Sequence, residues 1–200
     1  MSSSLSVSVL SKKVVLGLGS NTQQEAHFRY ALDALSEHLG ELCVSPIYKS
    51  APKLSQKNKS PTAMNDMASY YNAVVLVDSD WSVPSIKNLT RDIEQQCGRD
   101  RTNPQVVSID IDFLLYGDAV IHQDDVVLPH PDIAVCDYVL RPLSDIWPTG
   151  LCPQAQKEWL ALWHEMLERK SKLLSPSDLY PVDFIWRDRV ISVSPPCVSL

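Results

Sequence analysis

Two aspartates set two residues apart, Asp110 and Asp112, carry the strongest chemical signal in this 200-residue chain. They lie in Ile109-Asp110-Ile111-Asp112-Phe113, an alternation that predicts a strand. Strand side chains point to opposite faces in turn, so both carboxylates share one face while Ile109, Ile111 and Phe113 turn to a core. Carboxylates held about 7 Å apart on a rigid strand repel each other unless a cation lies between them. Magnesium suits such a pair, because it is bound by one or two carboxylates together with substrate phosphates. Two such ions would clamp both ends of a phosphoryl transfer. A lone Asp-x-Asp is more often two ordinary acids on a wetted strand, so the neighbours have to decide.

Three neighbours bear on that choice. Arg99 and Arg101 precede the strand and fall one side-chain period apart if the segment is extended. Guanidinium groups grip phosphate oxygens two at a time, although salt bridges to nearby acids are their commoner use. His130 stands between Pro129 and Pro131, on a rigid turn from which it could donate to a phosphate; a structural loop histidine is the plainer reading.

The elements that must hold these groups alternate regularly. Lys13 to Gly19 predicts a buried first strand running into glycines. Ser20, Asn21 and Thr22 offer helix caps, and Phe28, Ala31, Leu32 and Leu35 recur at helical spacing up to Gly40. Glu41 to Ser50 predicts a second strand, with Pro46 marking an edge or a bulge. Lys53 to Ala68 is polar and aperiodic, a long loop of the kind that often serves as a lid. Ser69 to Val77 predicts a third strand. A helix capped by Ser82 with Pro84 in its first turn follows, striped by Ile86, Leu89 and Ile93 and ending at Gly98. Val106 to Tyr116 predicts the fourth strand, and Ala119–Ile121 with Val126–Leu128 a short hairpin. Asp137 to Ile146 predicts a helical turn before Pro148.

Strand, helix, strand, strand, helix, strand is the split βαβ, or ferredoxin-like, order. An α+β fold with a mainly antiparallel sheet and helices on one face is expected. Residues 1–11 read as a Ser-rich leader, 12–150 as the main domain, and 151–200 as an extension packed on it. In that extension Trp159, Leu160, Trp163 and Leu167 fall at helical spacing, and Asp183 to Val193 offers a strand.

A net charge of −6 disfavours a nucleic-acid partner without excluding nucleotides. No apolar run approaches the roughly 20 residues of a membrane span. Five cysteines with no Cys-x-x-Cys pair predict neither a disulfide framework nor a zinc ribbon, and suit a reducing cytoplasm.

Taken in order, several motifs resemble those of 6-hydroxymethyl-7,8-dihydropterin pyrophosphokinases of folate biosynthesis. They are Leu18-Gly19-Ser20-Asn21, Ser45-Pro46-Ile47-Tyr48, Tyr71-Asn72-Ala73-Val74-Val75, Ile93-Glu94 with Gly98-Arg99-Asp100-Arg101, Ile109 to Gly117, Leu128-Pro129-His130, and Tyr138 to Leu143. The resemblance runs from about Lys13 to Pro148. It implies a ferredoxin-like core and transfer of the terminal pyrophosphate of ATP to the pterin's hydroxymethyl oxygen, with release of AMP. It implies Asp110 and Asp112 as ligands of two Mg²⁺ ions, and Arg99, Arg101, His130 and Glu94 on the ATP side. It implies Asn72, Tyr138, Ser50, Pro52 and Tyr70 around the pterin. A monomer or weak dimer acting on small molecules is the corresponding expectation. A pterin is flat and suits an aromatic ring, and its edge suits an amide.

The pattern departs at Val107 and Cys136, where the family has arginines, and the segment from Arg101 to Asp110 is about two residues short. Thr22-Gln23-Gln24 replaces the usual glycine-aspartate step. These changes remove positive charge from the phosphate side. A second reading therefore stands beside the first: a pterin- or nucleotide-binding paralogue without turnover. A third is a plain interaction domain with no small-molecule site.

Overall fold

The structure, a computed structural model, describes residues 11–51, 69–123, 125–174 and 177–191. The loop expected over Lys53 to Ala68, together with Pro52, lies outside the described residues.

Apolar alternation in the first strand sets up the whole architecture. Strand β1 (Lys12–Ser20) turns Val14, Leu16 and Leu18 to one face and Val15 to the other, and all four are buried. A strand buried on both faces must be central, and β1 pairs with β4 (Tyr70–Ser79) on one side and β5 (Asp110–Tyr116) on the other. Beyond β4 lies the second strand of the core. Pro46 cannot donate to the ladder, so the stretch expected as one strand is broken into β2 (Cys43–Val44) and β3 (Ile47–Ser50). Every pairing is antiparallel, and the order β5-β1-β4-β3 is what two split βαβ units require.

Helices α1 (Gln24–Leu39) and α2 (Val83–Gln96) cover the face of Val14, Leu16, Ala73 and Val75. Ser82 caps α2 through its side chain as expected, whereas α1 is not capped by Ser20, Asn21 or Thr22. It starts after Gln23 in the left-handed region, with no side-chain cap. The helices are not confined to one face. Val15, Val74, Leu76 and Leu114 on the opposite face are covered by α3 (Asp132–Val135), α4 (Asp137–Ile146) and α5 (Trp159–Lys172). The physical reason lies in the central strands. Apolar on both faces, they need a second layer, which α4 lays on the sheet and α5 of the C-terminal extension packs against.

That extension goes further than expected. Trp159, Trp163 and Met166 of α5 are buried, while Leu160 and Leu167 stay partly exposed, so the inward stripe is 159-163-166. The chain then crosses the sheet edge as β8 (Tyr180–Val182), which pairs with β3. The last described strands form a ribbon, β9 (Phe184–Trp186) with β10 (Arg189–Ile191), lying against α1. Phe184 is fully buried in the α1/α2 core, edge-on to Phe28, and Trp186 donates to Asp33. The extension thus wraps one face, the edge and the other face. A remaining hairpin, β6 (Ile121–Gln123) with β7 (Val126–Leu128), stands beside β5 and is tied to α2 by the Lys87–Asp125 ion pair.

Because Phe184 fills the main core from outside the split βαβ unit, Phe184→Ala is expected to cost about 3 kcal/mol. Urea unfolding of the full chain should show one transition moved to a lower midpoint. A separate early transition would mean that the extension is not part of the core.

Candidate active site

The floor of the site is drawn by strand register. Gly19 of β1 lies between Asp110 on β5 and Asn72 on β4, and Gly17 lies between Asp112 and Val74. Val74 belongs to the α4/α5 face, so Asp110, Asp112, Asn72 and both glycines share that face. Asp110 and Asn72 are therefore two strand spacings apart, about 10 Å, across a floor without side chains. A Cβ built on Gly19 would meet nothing within 4 Å. The two glycines had read only as the end of a strand. Only Gly19 leaves room for close approach of a ligand; a Cβ on Gly17 would lie 3.2 Å from the Leu114 side chain, which packs over it. A bulge sharpens the carboxylates' setting. The β1–β5 register shifts at Leu114, so Leu114 and Leu115 both turn to the second core and the floor stops abruptly past Asp112.

The strand carrying the acids is shorter than the sequence implies, and the reason is Asn21. Its side chain donates to the Gln105 carbonyl at 2.7 Å and accepts from the Val107 N–H at 2.7 Å. Its own N–H donates to the Val107 carbonyl at 2.9 Å. This three-point clasp holds residues 105–107 as a loop, so β5 begins at Asp110 rather than Val106. Val107 is buried and apolar.

Arg99 and Arg101 are not one period apart on an extended segment; the chain turns between them. Arg101 reaches back to Glu94 at 2.5 Å and lines the cleft beside the acids. Arg99 folds behind Asp110. Its NH1 donates to the carbonyls of Asp100 and Val106, and its Nε lies 4.0 Å from Asp110 Oδ1. Glu94 is buried and also accepts from the Ile111 N–H at 2.8 Å, which ties α2 to the strand between the two aspartates. Burial pushes its carboxyl above the usual range.

The acids feel each other. Burial, then the charge of Asp110, raises Asp112 to about 6, with His130 opposing the shift. His130 follows a cis Leu128–Pro129 bond, donates its N–H to the Leu114 carbonyl, and lines the same cleft. Its Nδ1 accepts from the Asp132 N–H at 3.3 Å, so the ring proton of the neutral form sits on Nε2, available to an anion.

The other end of the floor is organised around Asn72, which is buried. Its amide nitrogen donates to Ser50 Oγ at 2.9 Å and to the Tyr48 carbonyl at 3.3 Å, leaving its oxygen to accept. Tyr70 is partly buried near Arg99, Asp110 and Asn21, and burial raises its hydroxyl. Tyr138 sits partly buried on α4, in the layer over this face. Asp110, Asp112, Arg101 and His130 thus line one cleft, Asn72 and Ser50 form a hydrogen-bonded patch, and the backbone at Gly19 lies between them.

Two consequences are measurable. An acid whose folded pKa lies above its unfolded value stabilises the fold fully below about pH 4, and this is lost as pH rises through about 6. Asp112→Asn should therefore raise the stability of the metal-free protein at pH 7.5 by about 1–2 kcal/mol, with little gain at pH 4. Thermal unfolding at the two pH values reads this. Gly19→Val should fold with an unchanged melting temperature, since its side chain enters open space, yet lower kcat/KM at least about tenfold by blocking the floor.

Residues 15–148 match the family model described as 7,8-dihydro-6-hydroxymethylpterin-pyrophosphokinase (HPPK). The chain is 30% identical over 142 residues to the 2-amino-4-hydroxy-6-hydroxymethyldihydropteridine pyrophosphokinase of Helicobacter pylori, covering 67% of this chain and 80% of the relative. It is 29% identical over 149 residues to the enzyme of that name from Bacillus subtilis, covering 72% and 80%. Against the crystal structure of Plasmodium falciparum HPPK-DHPS with pteroate the TM-score is 0.69 at 14% identity, a likeness of fold. It covers 91% of this chain, which spans about half, 49%, of that longer one. The matched segment contains the glycine floor, both aspartates, Glu94, Arg101 and His130, and on this match the chain belongs to the 6-hydroxymethyl-7,8-dihydropterin pyrophosphokinase family.

Proposed function

We propose that this protein transfers the terminal pyrophosphoryl group of ATP to the hydroxymethyl oxygen of a reduced pterin, releasing AMP. The observation that carries this reading is the row Asp110–Gly19–Asn72, with a phosphate-suited cleft at one end and a hydrogen-bonding amide at the other. In the step, the alcohol oxygen bonds to the β-phosphorus as the bond from that phosphorus to the α–β bridging oxygen breaks. The alcohol proton leaves to solvent and AMP keeps the bridging oxygen. Positioning and charge neutralisation account for most catalysis of this kind.

Asp110 and Asp112 fit Mg²⁺. Among the described residues no group of three or more His, Cys, Asp or Glu converges. A hard cation held by this pair would therefore complete its shell with phosphate oxygens and water, as magnesium does. When bound, magnesium neutralises phosphate charge and polarises the β-phosphoryl group. The protein's own groups do the rest in this reading. Arg101, aligned by Glu94, and the Nε2 proton of His130 meet phosphate oxygens. Arg99 balances Asp110 from behind. The Asn72 oxygen accepts from the pterin's ring N–H or amino group, with Ser50 fixing the amide and Tyr138 supplying an aromatic face. Among the described residues no helix is long and apolar enough to cross a membrane.

One observation favours a second reading, binding without turnover. Val107 is buried, uncharged and clasped by Asn21, so residues 105–107 bring no cation to the phosphates. The experiment separating the two readings is AMP release from ATP with 6-hydroxymethyl-7,8-dihydropterin. Turnover should need both the pterin and Mg²⁺, and Asp110→Ala should lower it by at least about a thousandfold with the fold intact. Calorimetric binding of both ligands with no AMP formed would select the second reading.

A further inference from the structure

A second polar cluster lies under the pterin end of the floor, and part of its support comes from outside the family match. Tyr48 on β3 is almost fully buried. Its hydroxyl donates to Asp145 Oδ2 at 2.6 Å and accepts from Arg141 Nε at 3.1 Å. Arg141 also pairs with Asp145, at 3.1 Å between NH2 and Oδ1. The Arg141 guanidinium lies 5.5 Å from the ring centroid of Trp163, which α5 brings from the C-terminal extension, and 5.9 Å from that of Tyr48. Burial, reinforced by Asp145, pushes the Tyr48 hydroxyl up to about 12, so it stays protonated and donating.

We propose that Tyr48, Arg141 and Asp145 form a buried strut that sets the spacing between α4, which carries Tyr138, and the strands that carry Ser50 and Asn72, with the C-terminal helix bracing it. On α4, Tyr138, Arg141 and Asp145 fall at i, i+3 and i+7, one side of the helix. The strut bonds therefore act on the side of α4 that carries Tyr138. On β3 the connection is shorter still. Tyr48 stands opposite Asn72 in the ladder, and its carbonyl accepts from the Asn72 amide. A shift of Tyr48 moves the amide's anchor. From the same C-terminal helix, Lys170 holds the first turn of α4 through Asp137 at 2.5 Å, and Arg169 donates to the Ala134 carbonyl of the preceding α3 at 3.2 Å. Apolar residues of the same volume would pack this layer as well and avoid desolvating three polar groups. What directional bonds add is a fixed distance, and a flat ligand held between a ring and an amide needs one. Tyr48, Arg141 and Asp145 are thus positioning residues for the pterin, and the inference rests on the pterin reading of Asn72 and Tyr138.

The test is paired titration of the full chain, following 6-hydroxymethylpterin by its fluorescence and α,β-methylene-ATP, which cannot transfer, by calorimetry. Tyr48→Phe removes one hydroxyl and is expected to weaken pterin binding about five- to twentyfold while leaving the nucleotide affinity unchanged. Arg141→Met, which keeps the apolar stem, should show the same split. Pterin affinity unchanged in Tyr48→Phe, or both affinities falling together, overturns the strut. Asn72→Ala tells the two levels apart. If it weakens pterin binding while Tyr48→Phe does not, the strut alone is wrong. If it leaves pterin binding untouched, the pterin reading fails and the strut with it.

Discussion

Asp110 and Asp112 repel each other on one face of a rigid strand, and much of the surrounding structure serves to hold them there. The strand cannot relieve the repulsion by twisting away, because Ile109 and Ile111 are buried on its far side and Glu94 grips the Ile111 N–H between the two acids. Burial of Asp112 adds to the cost. Held carboxylates without a matching cation are a stored electrostatic demand, and such demands mark functional sites more often than they mark well-packed folds. The rest of the cleft is arranged to answer it: Arg101 at the rim, Arg99 behind, and His130 above with its ring proton directed away from Asp132.

The glycine floor turns this local demand into a two-substrate geometry. Because β1 is the central strand, its residues have neighbours on both sides, and Gly19 leaves a side-chain-free step between Asp110 and Asn72, whereas Gly17 beside Asp112 is covered by the Leu114 side chain. The distance across the Gly19 step is fixed by strand spacing and does not depend on side-chain rotamers. A transfer reaction between two bound molecules benefits from a separation set by the stiffest part of the fold. The same logic explains the double-sided core. A central strand must be covered on both faces; α4 provides that cover with α5 of the C-terminal extension packed on it, and the extension also closes the β3 edge through β8.

The extension also changes how the family resemblance should be weighed. The matched segment ends at residue 148, yet Trp163 and Phe184, both buried, lie beyond it. A helix outside the match thereby contacts Arg141, inside one of the matching motifs. In this protein the stretch that identifies the family is packed against, and braced by, a stretch beyond it.

Periodicity made the strands and helices legible, because a half-buried strand and an amphipathic helix each write their burial into the sequence. The alternation about Asp110 and Asp112 was sufficient to place both acids on one face, and the ordered motifs were sufficient to name the family. Three things were decided only by long-range contact. Asn21 looked like a helix cap, but its hydrogen bonds reach residues 105–107, more than eighty positions away, where they hold a loop and delay the start of the strand to Asp110. Arg99 and Arg101 looked equivalent, and a turn sent one to the cleft and the other behind it. Tyr48, Arg141 and Asp145 carried no shared pattern, since a network joining β3 to α4 across some ninety residues has no period to read. Local sequence encodes which face a residue prefers, whereas partners across the sheet are fixed only when the layers close.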